Sequence, residues 1–344
     1  MTTRDRLLAA LVAVCWGLNF IAIHLSLEQF PPFFLIALRF TLIALPTLLL
    51  VPRPAAPWRW IVVYGLGFGV LQFAFLYLAM ASGMPAGLAS LVLQASAPFT
   101  VMLAGVFLRE RISARQVAGL LLAVAGLGGI AAHRAGLDGG ATLVPVLLTL
   151  CGALGWAIGN LGSRRAMQEG PGEPFRLMLW MSVVPPLPML ALSLAMEGPD
   201  QIAASFQGLG SRQGLLAVAG LLFTILAASF VGAGLWSALM GRYPSSTVAP
   251  FSMLVPVVGV AASWLLLRER IVLVELAWGA LVIAGVLLGS TRSRRQAEPT
   301  TSAVAIAATP SPRPVSPSPS VVVAETLTGA PTAADNADSA SARR

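Results

Sequence analysis

Apolar runs of about 18 to 25 residues follow one another along almost the whole chain, and no other feature restricts its fold as much. Ten such segments are predicted, at roughly 6–27, 32–51, 58–82, 86–108, 115–132, 142–163, 175–196, 213–240, 245–267 and 274–291. As helices each spans, or nearly spans, a ~30 Å hydrocarbon layer. With 57% of 344 residues hydrophobic and only 10% charged, a soluble helical bundle is excluded. The fold expected is an all-α integral membrane protein in contact with the lipid bilayer. Pro46, Pro98, Pro145, Pro185, Pro186, Pro188, Pro250 and Pro256 fall inside the runs. They would break helices in water but are tolerated where neighbouring helices satisfy the freed backbone groups. Gly119, Ala125, Gly126 and Gly129 allow close helix contact and need no further role.

The net charge of +8 comes from arginine alone, since the chain has no lysine. In a soluble protein such a balance suggests nucleic acid. Here it follows the loops instead. With the N-terminus inside, cytoplasmic stretches hold 14 arginines, whereas the outer loops hold only Arg134, Arg212, Arg268 and Arg270. This bias places both termini in the cytoplasm of a multi-pass inner-membrane protein, with no nucleic-acid partner. The first run begins with Arg4 and Arg6 but lacks a small-residue cleavage site, so it is read as a retained helix. Cys15 and Cys151 lie within apolar runs, suited to neither an extracellular disulfide nor a metal site. Residues 292–344 turn rich in Pro, Ser, Thr and Ala and are expected to form a disordered cytoplasmic tail.

An internal repeat organises the rest. Residues 85–129 and 244–289 each have an opening proline, a mid-helix proline (Pro98; Pro256), an Arg-Glu-Arg-Ile ending (109–112; 268–271) and a following helix with Ala-Gly (Ala125-Gly126; Ala284-Gly285). Upstream, Trp16 in VCWGLNF corresponds to Trp156 in LGWAIGN. The chain therefore reads as two five-helix units, 1–132 and 142–291. Five is odd, so the second unit enters the membrane inverted. Inverted repeats are the architecture of secondary transporters, with the substrate site near the midplane between the halves. Channels can be duplicated too, so a passive pore stays open as a reading.

Few polar side chains are placed deep. Counting along the helices puts Asn19 and Arg39 at roughly 10–14 Å below the outer face, and Gln72 and Gln94 at roughly 12–15 Å. Four polar groups from four helices thus share one level. A charge at this depth costs a few kcal/mol or more and normally faces the bundle interior or a wet cavity. Arg39 either attracts a carboxylate-bearing solute or pairs with carbonyls or an amide and staples the second helix to the first. His24 is nearer the interface. Trp16 and Trp156 sit away from the aromatic belts, as cavity walls or as plain core. No Asp or Glu lies in mid-helix, so no carboxylate relay for ion coupling is visible. There is no HExxH, no paired aspartate, no serine with a plausible base, no Walker A sequence and no CxxC. Enzymatic chemistry, a cofactor, a metal and self-powered ATP hydrolysis are accordingly not expected.

The segments VCWGLNFIAIHLSLEQFPPFFLIALRF, QFAFLYLA, GMPAGLASLVLQA, GWAIGN, LMGRY and VAPFSMLVPVVG resemble the EamA-type transporters of the drug/metabolite transporter superfamily, over nearly all of 5–291. Within that group the likeness is to bacterial exporters of O-acetylserine and cysteine. The resemblance implies a ten-helix inner-membrane carrier exporting amino-acid metabolites by alternating access. It does not reach the tail. Some members take drugs or larger amphipathic compounds, which leaves a wider, more apolar cavity as the alternative. The residues expected to line the path are Trp16, Asn19, Arg39, Gln72, Tyr77, Gln94, Trp156 and Ser252. The partners expected are a small-molecule substrate and lipid, with no obligate protein partner.

Overall fold

A computed structural model describes residues 1–107, 113–136, 143–243, 245–269 and 272–290. The described residues are helical and contain no strand. Ten principal helices follow in order: α1 Thr3–Leu27, α2 Pro32–Leu50, α3 Trp58–Ala81, α4 Ala86–Phe107, α5 Ala114–Ala135, α6 Leu143–Glu169, α7 Pro174–Met196, α8 Arg212–Arg242, α9 Pro250–Leu267 and α10 Leu273–Ser290. By length and composition α1 to α9 can cross a membrane, and α10 is a shorter apolar helix. Local chemistry sets several boundaries. Thr2 caps α1 by accepting from the Asp5 amide, and Pro32 opens α2. Ser113 and Gln116 close a reciprocal capping box on α5. The expected continuous run at 175–196 is instead broken into Pro174–Met181 and Pro186–Met196. Pro185 and Pro186 lack the amides that would carry the helix through. The Arg109–Ile112 ending, Arg270, Ile271 and the tail at 292–344 lie outside the described residues.

The two halves repeat each other in their irregularities. A π-helical stretch interrupts α3 at Gly65–Gln72 and α8 at Thr224–Gly232. A 3₁₀ turn occurs in α4 at Leu93–Ala95 and at the start of α9, Ala249–Met253. In the register that sets Pro85 opposite Pro244, the π stretches coincide. Packing repeats as well. Helix α1 packs on α8 and α9, while α6 packs on α3 and α4; α2 meets α7, α4 meets α9 and α5 meets α10. Exchanging α1–α5 with α6–α10 returns the same set of contacts. The fold is thus two five-helix repeats, and the odd helix number inverts the second.

Close approach depends on glycine. A Cβ at Gly119 of α5 would lie 2.5 Å from the Gly285 carbonyl oxygen of α10. A Cβ at Gly67 in the α3 π stretch would lie 2.4 Å from the Gly159 nitrogen of α6. With little hydrophobic drive between helices in lipid, such backbone proximity supplies the dispersion contact that holds them together.

Candidate functional site

Arg39 is 5% exposed, on the face of α2 that turns into the bundle. One terminal guanidinium nitrogen donates to the Tyr77 hydroxyl of α3 at 3.2 Å, the other to the Ser229 hydroxyl of α8 at 3.1 Å. The guanidinium carbon lies 4.1 Å from the Phe73 ring centre and 5.2 Å from that of Phe40. Such stacking offsets part of the desolvation of a buried cation. Ser229 donates in turn to the Thr224 carbonyl, five residues back, at 2.9 Å. That spacing belongs to the π stretch, so the irregular turn aims this hydroxyl. The expectation that Arg39 pairs with a carbonyl or amide and ties α2 to α1 is corrected: hydroxyls of α3 and α8 hold it. Those two helices bend the chain back alongside α2 and offer side-chain oxygens at its depth.

Among the described residues, three buried side-chain polar atoms lack a hydrogen-bond partner: Arg39 Nε, Asn19 Oδ1 and Gln72 Oε1. All three belong to the level singled out by depth counting. Among the described residues no carboxylate pairs with Arg39. A half-satisfied buried cation is costly. Gln72 ends the α3 π stretch, next to Phe73.

Aromatic rings extend the site. Trp156 of α6 meets Phe68 edge-on at 5.8 Å, Phe68 meets Phe73 at 5.6 Å, and Phe73 meets Tyr77 at 5.6 Å. Trp16 Nε1 donates to the Ala228 carbonyl at 3.0 Å, and its ring lies 5.2 Å from that of Trp236. A Cβ at Gly232 would come within 2.8 Å of this indole nitrogen, so the missing side chain makes its seat. Arg39, Tyr77, Trp156 and Trp16 are therefore linked through α3 and α8. Gln94 and Ser252 are half-buried on the paired 3₁₀ turns. The turn of Gln94 packs on α6 and that of Ser252 on α1, and neither side chain bonds to the Arg39 group. His24 sits 3.6 Å from Glu28 at the end of α1, half exposed. Ser229, Phe68 and Phe73 were missed by sequence reasoning. For Ser229 the available signal was its place, within the stretch equivalent to Gly65–Gln72.

At one end of the bundle the repeats are tied together. Glu197 accepts from the Phe33 and Phe34 amides at 2.7 and 3.0 Å, and Gln29 donates to the Ser205 and Gln207 carbonyls. Glu269 accepts from the Ala86 and Gly87 amides at 2.8 and 3.2 Å. Among the described residues no three of His, Cys, Asp and Glu converge as a metal set.

The profile of the EamA-like transporter family matches twice, at residues 6–132 and 143–291. The chain belongs to the EamA-like transporter family. Two relatives, in Salmonella typhimurium and Escherichia coli, are each described as a probable amino-acid metabolite efflux pump. The first is 40% identical over 301 residues, covering 86% of this chain and 99% of its own. The second is 38% identical over 290 residues, covering 84% and 95%. A solved crystal structure 19% identical superposes with a TM-score of 0.56, over 87% of this chain and 99% of its own, and shows the same fold. This EamA-like protein is a multi-pass membrane transporter and not an enzyme.

Proposed function

We propose that this EamA-like transporter exports small amino-acid-derived zwitterions, O-acetylserine and cysteine among them, from the cytoplasm by alternating access. The observation that carries the reading is Arg39: a buried cation with one donor unpaired and no carboxylate beside it. A cargo carboxylate would take Arg39 Nε and share a terminal nitrogen now given to a hydroxyl. The Asn19 and Gln72 oxygens can accept from an ammonium group, and Trp16, Tyr77 and Trp156 would wall the passage. Gln94 and Ser252 would line its approach on the 3₁₀ turns. The ties of Glu197, Gln29 and Glu269 join the repeats at the outer ends, and opening outward requires their release. In this reading both termini are cytoplasmic, the membrane is the inner one, residues 292–344 form a tail outside the two repeats, and the chain works without an obligate partner.

The test is counterflow in proteoliposomes. Vesicles preloaded with unlabelled O-acetylserine should draw in labelled O-acetylserine or cysteine faster than empty vesicles. Flux that rises linearly with concentration and shows no trans-acceleration would overturn the carrier reading in favour of a pore. Preference for bulky amphipathic compounds over both zwitterions would move the cargo to the drug class.

A further inference from the structure

A cavity of about 600 Å³ opens between the inner ends of α1 and α8, away from Arg39. Arg4, Asp5 and Leu8 line it from α1, and Leu235, Leu239 and Arg242 from α8. Its charges are unbalanced. One Asp5 carboxylate oxygen accepts from the Thr2 and Tyr243 hydroxyls, each at 2.6 Å. Arg242 reaches the other oxygen only at 3.9 Å and remains 68% exposed. Arg4 makes no hydrogen bond or ion pair among the described residues. Two guanidiniums therefore share one carboxylate that is already engaged.

The same residues end two lipid-facing rows. On α1 the exposed row runs Val14, Leu11, Leu7, Arg4, at helical spacing. On α8 exposed Leu226 and Val231 are five apart, the step that the π stretch imposes. Leu235, Ala238 and Arg242 continue that row and also line the cavity. The hollow is thus apolar along the hydrocarbon and doubly cationic at its inner end. A soluble anion would use the guanidiniums but leave the apolar wall bare. A zwitterionic lipid would fill the wall but bring its own cation against Arg4 and Arg242. We infer that this groove binds an anionic glycerophospholipid, its phosphate between Arg4 and Arg242 and an acyl chain along Leu8, Leu235 and Ala238. The groove shares no lining residue with the group around Arg39, and the inference does not depend on the cargo.

The experiment uses the full chain purified in detergent, with dioleoylphosphatidylglycerol, dioleoylphosphatidylcholine or inorganic phosphate added. Native mass spectrometry counts retained lipid and tryptophan fluorescence follows thermal unfolding. Phosphatidylglycerol should be retained and raise the unfolding midpoint, with little effect from the other two. Arg4→Gln combined with Arg242→Gln should lower phosphatidylglycerol retention about tenfold or more, with phosphatidylcholine retention unchanged. Ala238→Phe, which fills the wall and keeps both arginines, should also lose retention, and it decides alone if the double variant does not fold. Equal retention of the two lipids, unchanged retention in either variant, or an equal midpoint shift from phosphate would overturn the inference.

Discussion

Helices α3 and α8 hold equivalent places in the two repeats, and each carries its π stretch in the same register. Their side chains do not correspond. Gln72 faces Val231 in that register, Tyr77 faces Trp236, and Val70 faces Ser229. The same holds for Asn19 and Asn160, which fall within one residue of each other when Trp16 is set opposite Trp156. Asn160 of α6 donates to the Thr100 hydroxyl at 3.1 Å, whereas Asn19 of α1 keeps a buried oxygen without a partner. Arg39 stands on α2 alone. Duplication thus repeats the irregular backbone, while one repeat keeps most of the buried polar groups around Arg39. A symmetric scaffold makes two facing states nearly equal in energy, and an asymmetric site lets a solute lacking two-fold symmetry be held at its centre.

The strongest way to break this comparison is Arg39→Gln. Export should fall about 10- to 100-fold, from the lost charge-assisted contact, with normal membrane insertion. Efflux of labelled amino acids from cells measures it, and unchanged efflux would leave Arg39 a structural staple. The scaffold side is tested at the α5–α10 contact, which the exchange of repeats maps onto itself. Gly126→Val and Gly285→Val, which occupy equivalent positions, should each destabilise by about 1–3 kcal/mol, read from unfolding in detergent. Each added side chain meets backbone of the other helix, at 2.7 and 2.6 Å. A loss confined to one of them would break the equivalence of the halves. Ser229→Ala should be milder, about 3- to 10-fold in efflux, because Tyr77 still holds the guanidinium. A larger effect than that of Arg39→Gln would mean that the π stretch, and not the cation, limits transport. Removing 296–344, beyond the second family match at 143–291, should leave efflux within about twofold, since a sequence so poor in large apolar residues adds little core. A large loss in correctly inserted protein would assign the tail a role in transport.

Much of the architecture was legible because its signals are local or periodic. Segment length and the repeated proline and Ala-Gly spacing depend only on nearby residues. Depth counting also led to Arg39, Asn19 and Gln72, since a polar group in hydrocarbon is conspicuous by position alone. What escaped was partner choice. Ser229 is one of many serines in apolar helices, and nothing near it announces that it receives Arg39, 190 residues earlier in the chain. The break at 182–185 was signalled by adjacent prolines, yet prolines elsewhere in the bundle leave helices continuous, as Pro46 does in α2.

By itself the sequence determined that this chain lives in lipid, that it is built twice and that an odd helix count turns the second half over. These follow from the cost of exposing apolar surface and from simple parity. Only the tertiary structure decided that Arg39 is held by hydroxyls of α3 and α8, and that the last turn of α8 leaves a cationic hollow beside α1. Both depend on helix rotation, and a π stretch changes that rotation by an amount that no residue pattern along α8 records.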